Sequence, residues 1–129
     1  MAIKFTISQE LEKILQQYGR KADEAVEKAA KKAARDTAKT LKDTSPRKSG
    51  DYASGWASKV VRHDGRLSQV VVYNKTDYQL THLLENGHVI RNAKGTYGRT
   101  RGIKHIAPAE KEGIANFEQL IRAELENIT

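Results

Sequence analysis

The stretch SQELEKILQQYGRKADEAVEKAAKKAARDTAKTLKD, residues 8–43, carries the strongest structural pattern in the sequence. Apolar or small residues recur in it at steps of three and four, which places them on one face of an α-helix. Ser8 suits the N-cap position, and Pro46 disfavours helical backbone at Ser45, so the pattern predicts a helix over about 8–43. Gly19 is expected to split or bend this helix.

The two faces of this helix differ in chemistry. Its inner face is mainly alanine, and small side chains let another helix or a sheet approach closely while burying little apolar area themselves. The helix therefore needs a neighbour. Its outer face is basic and carries Lys28, Lys31, Lys32, Arg35, Lys39 and Lys42. That face is either simply solvated or a surface that meets a polyanion or an acidic partner.

A β-hairpin is predicted next along the chain. Two segments rich in valine and aromatic residues flank His-Asp-Gly-Arg, residues 63–66. Asp-Gly between two such segments is a strong hairpin signal, so we expect a hairpin over about 54–74. Trp56 is expected to anchor its sheet to the long helix.

A short helix, a long loop and a final helix follow. Asp77 is suited to cap the short helix and Gly87 to end it. Glycines at positions 95, 98 and 102 leave no periodic pattern after it, which predicts a loop to which Val89 and Ile90 could add a short strand. Pro108 suits the first turn of the final helix. The predicted bounds are about 78–86 for the short helix, 88–105 for the loop and 108–127 for the final helix.

These elements predict a single domain over residues 1–129 with an α+β fold. The long N-terminal helix and the C-terminal helix are expected to pack on a small antiparallel β-sheet. Of the 129 residues, 38% are hydrophobic and only 6% aromatic, so the core should be lean and oligomerisation should supplement it. The sequence contains no cysteine, and it has neither a membrane-spanning apolar run nor a secretory signal pattern.

The sequence contains no pattern that indicates an enzyme, a metal site or a cofactor. Its four histidines form no recognised metal-binding spacing, and His82 beside Glu85 supplies too few ligands for a catalytic metal. Neither a GxSxG elbow nor a phosphate-binding loop is present. A metal-independent ribonuclease is a third hypothesis, with His88, His105 and Arg101 as its candidate residues.

The segment from Glu85 to Glu110 is the candidate binding surface. It carries Arg91, Lys94, Arg99, Arg101 and Lys104, and no acidic residue lies between its ends. These side chains could neutralise phosphates without reading the base sequence, so a nucleic-acid-binding module that uses residues 91–104 is the alternative hypothesis. Only Tyr97 interleaves with them, whereas single-strand binders usually offer several aromatic platforms. We therefore favour a loop that orders against a protein neighbour, with passing DNA as a secondary contact.

The final helix has the opposite charge balance. Its acidic residues are Glu110, Glu112, Glu118, Glu124 and Glu126, against only Lys111 and Arg122. The net charge of the whole chain is +7. A chain that is basic in its middle and acidic at its end suits head-to-tail contacts between copies.

Three short elements occur in a fixed order along the chain. The first is Pro46 with Ser49-Gly50, the second comprises Val72, Asn74, Tyr78, Glu85 and Gly87, and the third is Pro108-Ala109. Together they span about residues 40–112 and resemble the tail-component or neck proteins of long-tailed double-stranded DNA phages and prophages. Ser49 stands where threonine is commoner, and His88 stands where a small residue often follows the glycine.

The resemblance implies a non-enzymatic virion protein that acts at the head-tail junction, in tail completion or attachment. It implies a homo-oligomer, expected as a ring, in contact with other phage connector or tail proteins. The implied location is the virion, with assembly in the host cytoplasm and no membrane contact. The positions expected to hold turns and packing, rather than to perform chemistry, are Pro46, Gly50, Asn74, Tyr78, Glu85, Gly87 and Pro108.

Overall fold

The structure is a computed structural model that describes residues 1–47 and 50–128. Its elements in chain order are β1 (Ile3–Thr6), α1 (Gln9–Tyr18), α2 (Arg20–Thr44), α3 (Asp51–Ser54), β2 (Trp56–His63), β3 (Arg66–Asn74), α4 (Thr81–Asn86), β4 (Val89–Asn92), β5 (Gly95–Arg99) and α5 (Ile106–Ile128). A 3₁₀ turn, Tyr78–Leu80, leads into α4. The predicted α+β fold is confirmed, because two long helices accompany a small antiparallel sheet.

The long N-terminal helix is divided at Gly19, as the sequence predicts. Gly19 has φ 83° and ψ −165°, a backbone conformation in which glycine avoids the strain that a side chain would create. The N–H of Gly19 still bonds the carbonyl of Leu15, which closes α1. At the other end, the hydroxyl of Ser8 accepts the N–H of Leu11, so the predicted N-cap is also confirmed.

The main sheet has three antiparallel strands in the order β1-β3-β2. Strands β2 and β3 are the predicted hairpin, and Asp64 and Gly65 both have positive φ, as a type I′ turn requires. Strand β1 is not predicted by the sequence pattern. Its Ile3 and Phe5 pair with β3 and are buried in the core, but four residues are too few to establish a period.

The core lies between this sheet and the pair α2 and α5. The predicted alanine face of α2 is buried there, together with Phe5 and Phe117, whose rings meet edge-on at 5.6 Å. Trp56 is buried, and its indole N–H donates to the hydroxyl of Ser45 at 2.8 Å. Trp56 therefore anchors the sheet to the end of α2, as predicted.

Two predicted details are wrong. The side chain of Asp77 makes no capping hydrogen bond to the helical turn that follows; instead, its backbone N–H donates to the side-chain carbonyl of Asn74 at 2.8 Å. The predicted loop over about 88–105 contains a second hairpin, formed by β4 and β5. Its glycines include Gly95 and Gly98 at positive φ, and they shape the hairpin backbone.

The final helix begins two residues earlier than predicted. Pro108 is its third residue, a position in the first turn where a missing N–H costs no intrahelical bond. Within the described part of the chain, no helix combines the length and apolar character needed to cross a membrane.

Candidate functional site

The five predicted basic residues are carried by a hairpin and the segment that follows it, residues 89–104, here called the basic arm. All five residues of β5 are exposed, and Tyr97 keeps 59% of its surface accessible. Strands β4 and β5 pair with each other, while their contacts with the other helices and strands are few. The arm is therefore held at its base.

The basic side chains of the arm differ in their contacts with the rest of the protein. All are exposed: Arg91, Lys94, Arg99, Arg101 and Lys104. Two of them bind the end of α4, since Lys104 Nζ donates to the side-chain oxygen of Asn86 at 2.6 Å and Arg99 donates to its carbonyl at 3.4 Å. Arg91 and Arg101 have no ionic partner among the described residues.

Two glycines let the base of the arm lie directly on the end of α4. Gly87 has φ 79°, and a Cβ there would lie 2.3 Å from the carbonyl oxygen of Thr100. A Cβ on Gly102 would lie 2.6 Å from the α4 backbone. The N–H of Ile103 completes the contact by donating to the carbonyl of Leu84 at 2.8 Å. Backbone packed this closely leaves no room for a side chain at either glycine.

Glu85 joins the end of α4 to the start of α5. Its carboxylate accepts three successive backbone N–H groups, from His105 at 2.8 Å, Ile106 at 2.8 Å and Ala107 at 2.9 Å. These donors begin a helix and have no intrahelical acceptor. Burial alone would raise the pKa of Glu85, but the three N–H donors and neighbouring His105 outweigh it and hold the pKa below its usual range.

His105 links these hydrogen bonds of Glu85, here called the Glu85 anchor, to Tyr52 of α3. Its Nδ1 lies 2.7 Å from the carbonyl of Ile103 and 3.0 Å from the Glu85 carboxylate, both acceptors, so Nδ1 carries a proton. Nε2 lies 2.7 Å from the Tyr52 hydroxyl, and the two groups share a hydrogen bond. Burial, together with the charges of Glu85 and Asp77, raises the pKa of Tyr52, so its hydroxyl stays protonated. His105 is only 2% exposed.

The positions before Glu85 that carry the resemblance to phage tail components lie around the Glu85–His105–Tyr52 cluster. Pro46 follows the end of α2, and Gly50, with φ 87°, begins α3 and so directs Tyr52 inwards. The ring of Tyr52 lies 5.7 Å from Trp56 and 5.6 Å from His105, edge-on in both cases. Ser49 lies outside the described residues.

Asn74 fastens the end of β3 to this cluster. Its amide NH₂ donates to the carbonyl of Tyr52 at 2.7 Å, and its carbonyl accepts the N–H of Asp77. Tyr78 lies in the turn that follows and is exposed, but its backbone carbonyl accepts the hydroxyl of Thr81 at 2.9 Å. Asn74 and Tyr78 thus both take part in turn geometry.

The structure does not assemble the residues of the ribonuclease hypothesis into an exposed site. His105 is buried with both ring nitrogens occupied, whereas His88 is exposed and bonds Thr100 at 2.9 Å. The carboxylate of Glu85 accepts hydrogen bonds from the first N–H groups of α5, and His82, three residues before it, is exposed. Among the described residues no group of three or more histidine or acidic side chains is placed to hold a metal ion.

The Glu85–His105–Tyr52 link is not among the predictions above, although one signal in the sequence points to it. The segment before the final helix, Ile-Lys-His-Ile-Ala-Pro, contains no serine, threonine, aspartate or asparagine. A helix that starts without such an N-cap needs an acceptor from elsewhere in the chain. The nearest preceding carboxylate in the sequence is Glu85.

Comparison with known proteins gave one family match. A protein-family model described as "Bacteriophage HK97-gp10, putative tail-component" matches residues 9–87, more than half of the chain. The first two elements of the sequence resemblance lie inside the matched residues, while Pro108-Ala109 lies beyond them. No curated protein and no solved structure matches the chain.

Proposed function

The chain belongs to the HK97-gp10-like family, and we propose that it acts at the junction between phage head and tail, in tail completion or attachment. In this role it is a structural protein of the virion and works by binding. Its partners are further copies of itself, arranged as a ring, and connector or tail proteins of the same phage. Assembly takes place in the host cytoplasm.

The observation that carries this proposal is the family match over residues 9–87. The matched residues form helices α1 to α4 and the hairpin β2–β3, whereas the basic arm and α5 lie beyond them. Glu85, near the end of the match, binds the first N–H groups of α5. The matched part is thus a scaffold that holds two further elements in defined positions.

The geometry around the arm supports a binding role. Glu85 and His105 are buried, and their polar atoms are occupied with hydrogen bonds that position backbone and Tyr52. Groups used in this way are closed to a substrate. The whole of β5 is exposed, as are Ile90 and Arg91 of β4, so the arm is suited to contact a second macromolecule.

Contact with DNA is the second candidate function of the arm. Arg91 and Arg101 are exposed without an ionic partner in residues 1–47 and 50–128, and Tyr97 adds an exposed aromatic ring. Such cations bind phosphates by releasing counterions, so the affinity would fall steeply as salt rises. In the assembled particle this contact accompanies the protein contacts.

The proposal is tested in a phage or prophage that encodes the chain. Deleting the gene should leave filled heads and separate tails in electron micrographs, and parental protein supplied from a plasmid should restore joined particles. Mass spectrometry should detect the protein in purified virions. Joined and infectious particles made without the protein would refute a junction role.

A matched pair of variants separates the arm from general surface charge. The variant Arg91→Ala, Arg101→Ala should restore joining poorly. The control Lys13→Ala, Lys21→Ala removes two exposed charges from α1 and the start of α2 and should restore it fully. Equal complementation by both would show that the arm does not take part in joining.

A further inference from the structure

We propose that the basic arm of one copy docks on an acidic stripe of α5 in the next copy. The stripe consists of Glu110, Ile114 and Glu118. This inference rests on the proposed function, because it names the surface through which copies of the chain join. The occupant of the stripe is therefore a second copy of this chain.

The three residues of the stripe lie on one exposed line of α5. They are spaced four residues apart, which brings successive side chains to the same side of a helix. Both glutamates are exposed, and Ile114 between them keeps 42% of its surface accessible. Neither glutamate has an ionic partner within the described residues, whereas Glu124, further along α5, pairs with Lys28 at 3.4 Å.

The arm offers the complementary chemistry. Arg91 and Arg101 supply unpaired positive charge, and no acidic residue lies anywhere in the arm. Ile90 and Tyr97 are exposed apolar surface on the same hairpin. An apolar contact flanked by opposite charges has the arrangement of a protein interface, with buried area at its centre and ionic contacts at its rim.

The charged residues of the proposed contact are not paired with one another inside one chain. Among the described residues, Arg91 and Arg101 form no ion pair with Glu110 or Glu118 of the same chain. The base of the arm is fixed by the packing of Gly87 and Gly102 against neighbouring backbone and by the bond between Ile103 and Leu84. Both surfaces therefore remain available to a neighbour.

Because the arm and the stripe are different surfaces, their contact is head-to-tail. Each copy uses its arm on one neighbour and offers its stripe to another, and a contact of this type repeats until it closes into a ring or extends as a filament. The charged rim makes the association faster and tighter at low ionic strength than at high ionic strength.

Cysteine crosslinking tests the contact directly, because the parental chain contains no cysteine. One population carries Thr96→Cys in the arm, and a second carries Ile114→Cys in the stripe. The control for the second is Ala123→Cys, which is also exposed but lies about half a turn around α5. Mixed populations are oxidised at low salt, and mixed disulfide dimers are measured by mass spectrometry.

We expect several-fold more dimer from the arm and stripe pair than from the control pair, and a fall towards the control level at high salt. A single chain carrying both Thr96→Cys and Ile114→Cys should give a ladder of covalent oligomers. Equal dimer yields from the stripe and control positions would overturn the proposal.

Charge reversal provides a second test on the same crosslink. Glu110→Lys with Glu118→Lys on the stripe population should lower the yield, and Arg91→Glu with Arg101→Glu on the arm population should restore it. Reversal of two exposed acids elsewhere, Glu10→Lys with Asp43→Lys, is the matched control and should leave the yield unchanged. Circular dichroism confirms that each variant folds.

The outcomes separate this proposal from the junction role. If the chain still joins heads to tails but the stripe crosslinks no better than the control, only the docking surface is wrong. If the reversed arm loses binding to duplex DNA while the crosslink yield does not change, the arm is a DNA contact and the docking proposal is overturned.

Discussion

The contact of α5 with α2 at Gly113 gives the sharpest test of the fold. A Cβ at Gly113 would lie 2.5 Å from the hydroxyl oxygen of Thr37 and 3.0 Å from Cζ of Phe5. Carbon atoms do not approach an oxygen this closely, so the substitution Gly113→Ala forces α5 outward or moves Thr37 from its rotamer. Overpacking of this kind costs about 1–3 kcal/mol.

The helical position offsets part of that cost. Alanine is favoured over glycine inside a helix by about 0.5–1 kcal/mol. We therefore expect Gly113→Ala to lower the free energy of unfolding by about 1–2 kcal/mol, equivalent to a fall in Tm of roughly 4–8 °C for a chain of this size. Urea unfolding followed by circular dichroism measures the change, and Ala123→Gly, exposed on α5, measures the helix term separately.

Thr37 makes the reasoning refutable through a double-mutant cycle. Its hydroxyl is buried, with the residue 3% exposed, and has no hydrogen-bond partner within the described residues. Thr37→Ala removes this oxygen, so Gly113→Ala added to it should be neutral or stabilising by about 0.5–1 kcal/mol. If Gly113→Ala is equally destabilising with Thr37 and with Ala at that position, the close contact is not the cause.

Three further sets of substitutions test the Glu85 anchor, the packing of Gly87 at the base of the basic arm, and the arm itself. Glu85→Gln should lower the free energy of unfolding by about 1–3 kcal/mol at neutral pH. The reason is that an NH₂ group replaces one buried carboxylate oxygen and faces a backbone N–H donor. The folded-state pKa of Glu85 lies below its ordinary 4.5, so the carboxylate stabilises the fold fully above about pH 4.5 and loses this contribution as the pH falls through the folded-state pKa. Urea unfolding measured from pH 7 to 3 should therefore show a steeper fall in the free energy of unfolding for the parent than for Glu85→Gln. Equal pH dependence in the two proteins would contradict the role of the carboxylate. Gly87→Ala should cost at least about 2 kcal/mol, measured by urea unfolding, since its Cβ meets the Thr100 carbonyl at 2.3 Å; a change within ±0.5 kcal/mol would exclude that contact. Arg91→Ala with Arg101→Ala should weaken binding to duplex DNA and reduce the salt slope by about 2, measured by fluorescence anisotropy; an unchanged slope would remove the arm from DNA contact.

The long helices and the first hairpin are readable from the sequence because local chemistry specifies them. The three-and-four spacing sets the buried face of α2, Gly19 divides the helix, and Asp64-Gly65 makes the turn between β2 and β3. Each of these features depends on residues within a few positions of one another.

The elements that the sequence did not predict depend on pairing partners. Strand β1 has only four residues, and it forms a strand because its backbone pairs with β3. Strand β5 contains two glycines and is exposed along its whole length, and β4 has only four residues, so neither strand shows an alternating pattern of buried residues. The hydrogen bonds of the opposite strand hold them in place.

The sequence by itself determined where the long helices run, how the main hairpin turns, and that the middle of the chain is basic while its end is acidic. Only the tertiary structure decided that Glu85 caps a helix 21 residues further on and that His105 is a buried link to Tyr52. The physical reason is that a buried charge is tolerated only where several donors converge on it. That convergence is made by backbone N–H groups, which every residue except proline carries, so the sequence shows that an N-cap is missing but not which carboxylate replaces it.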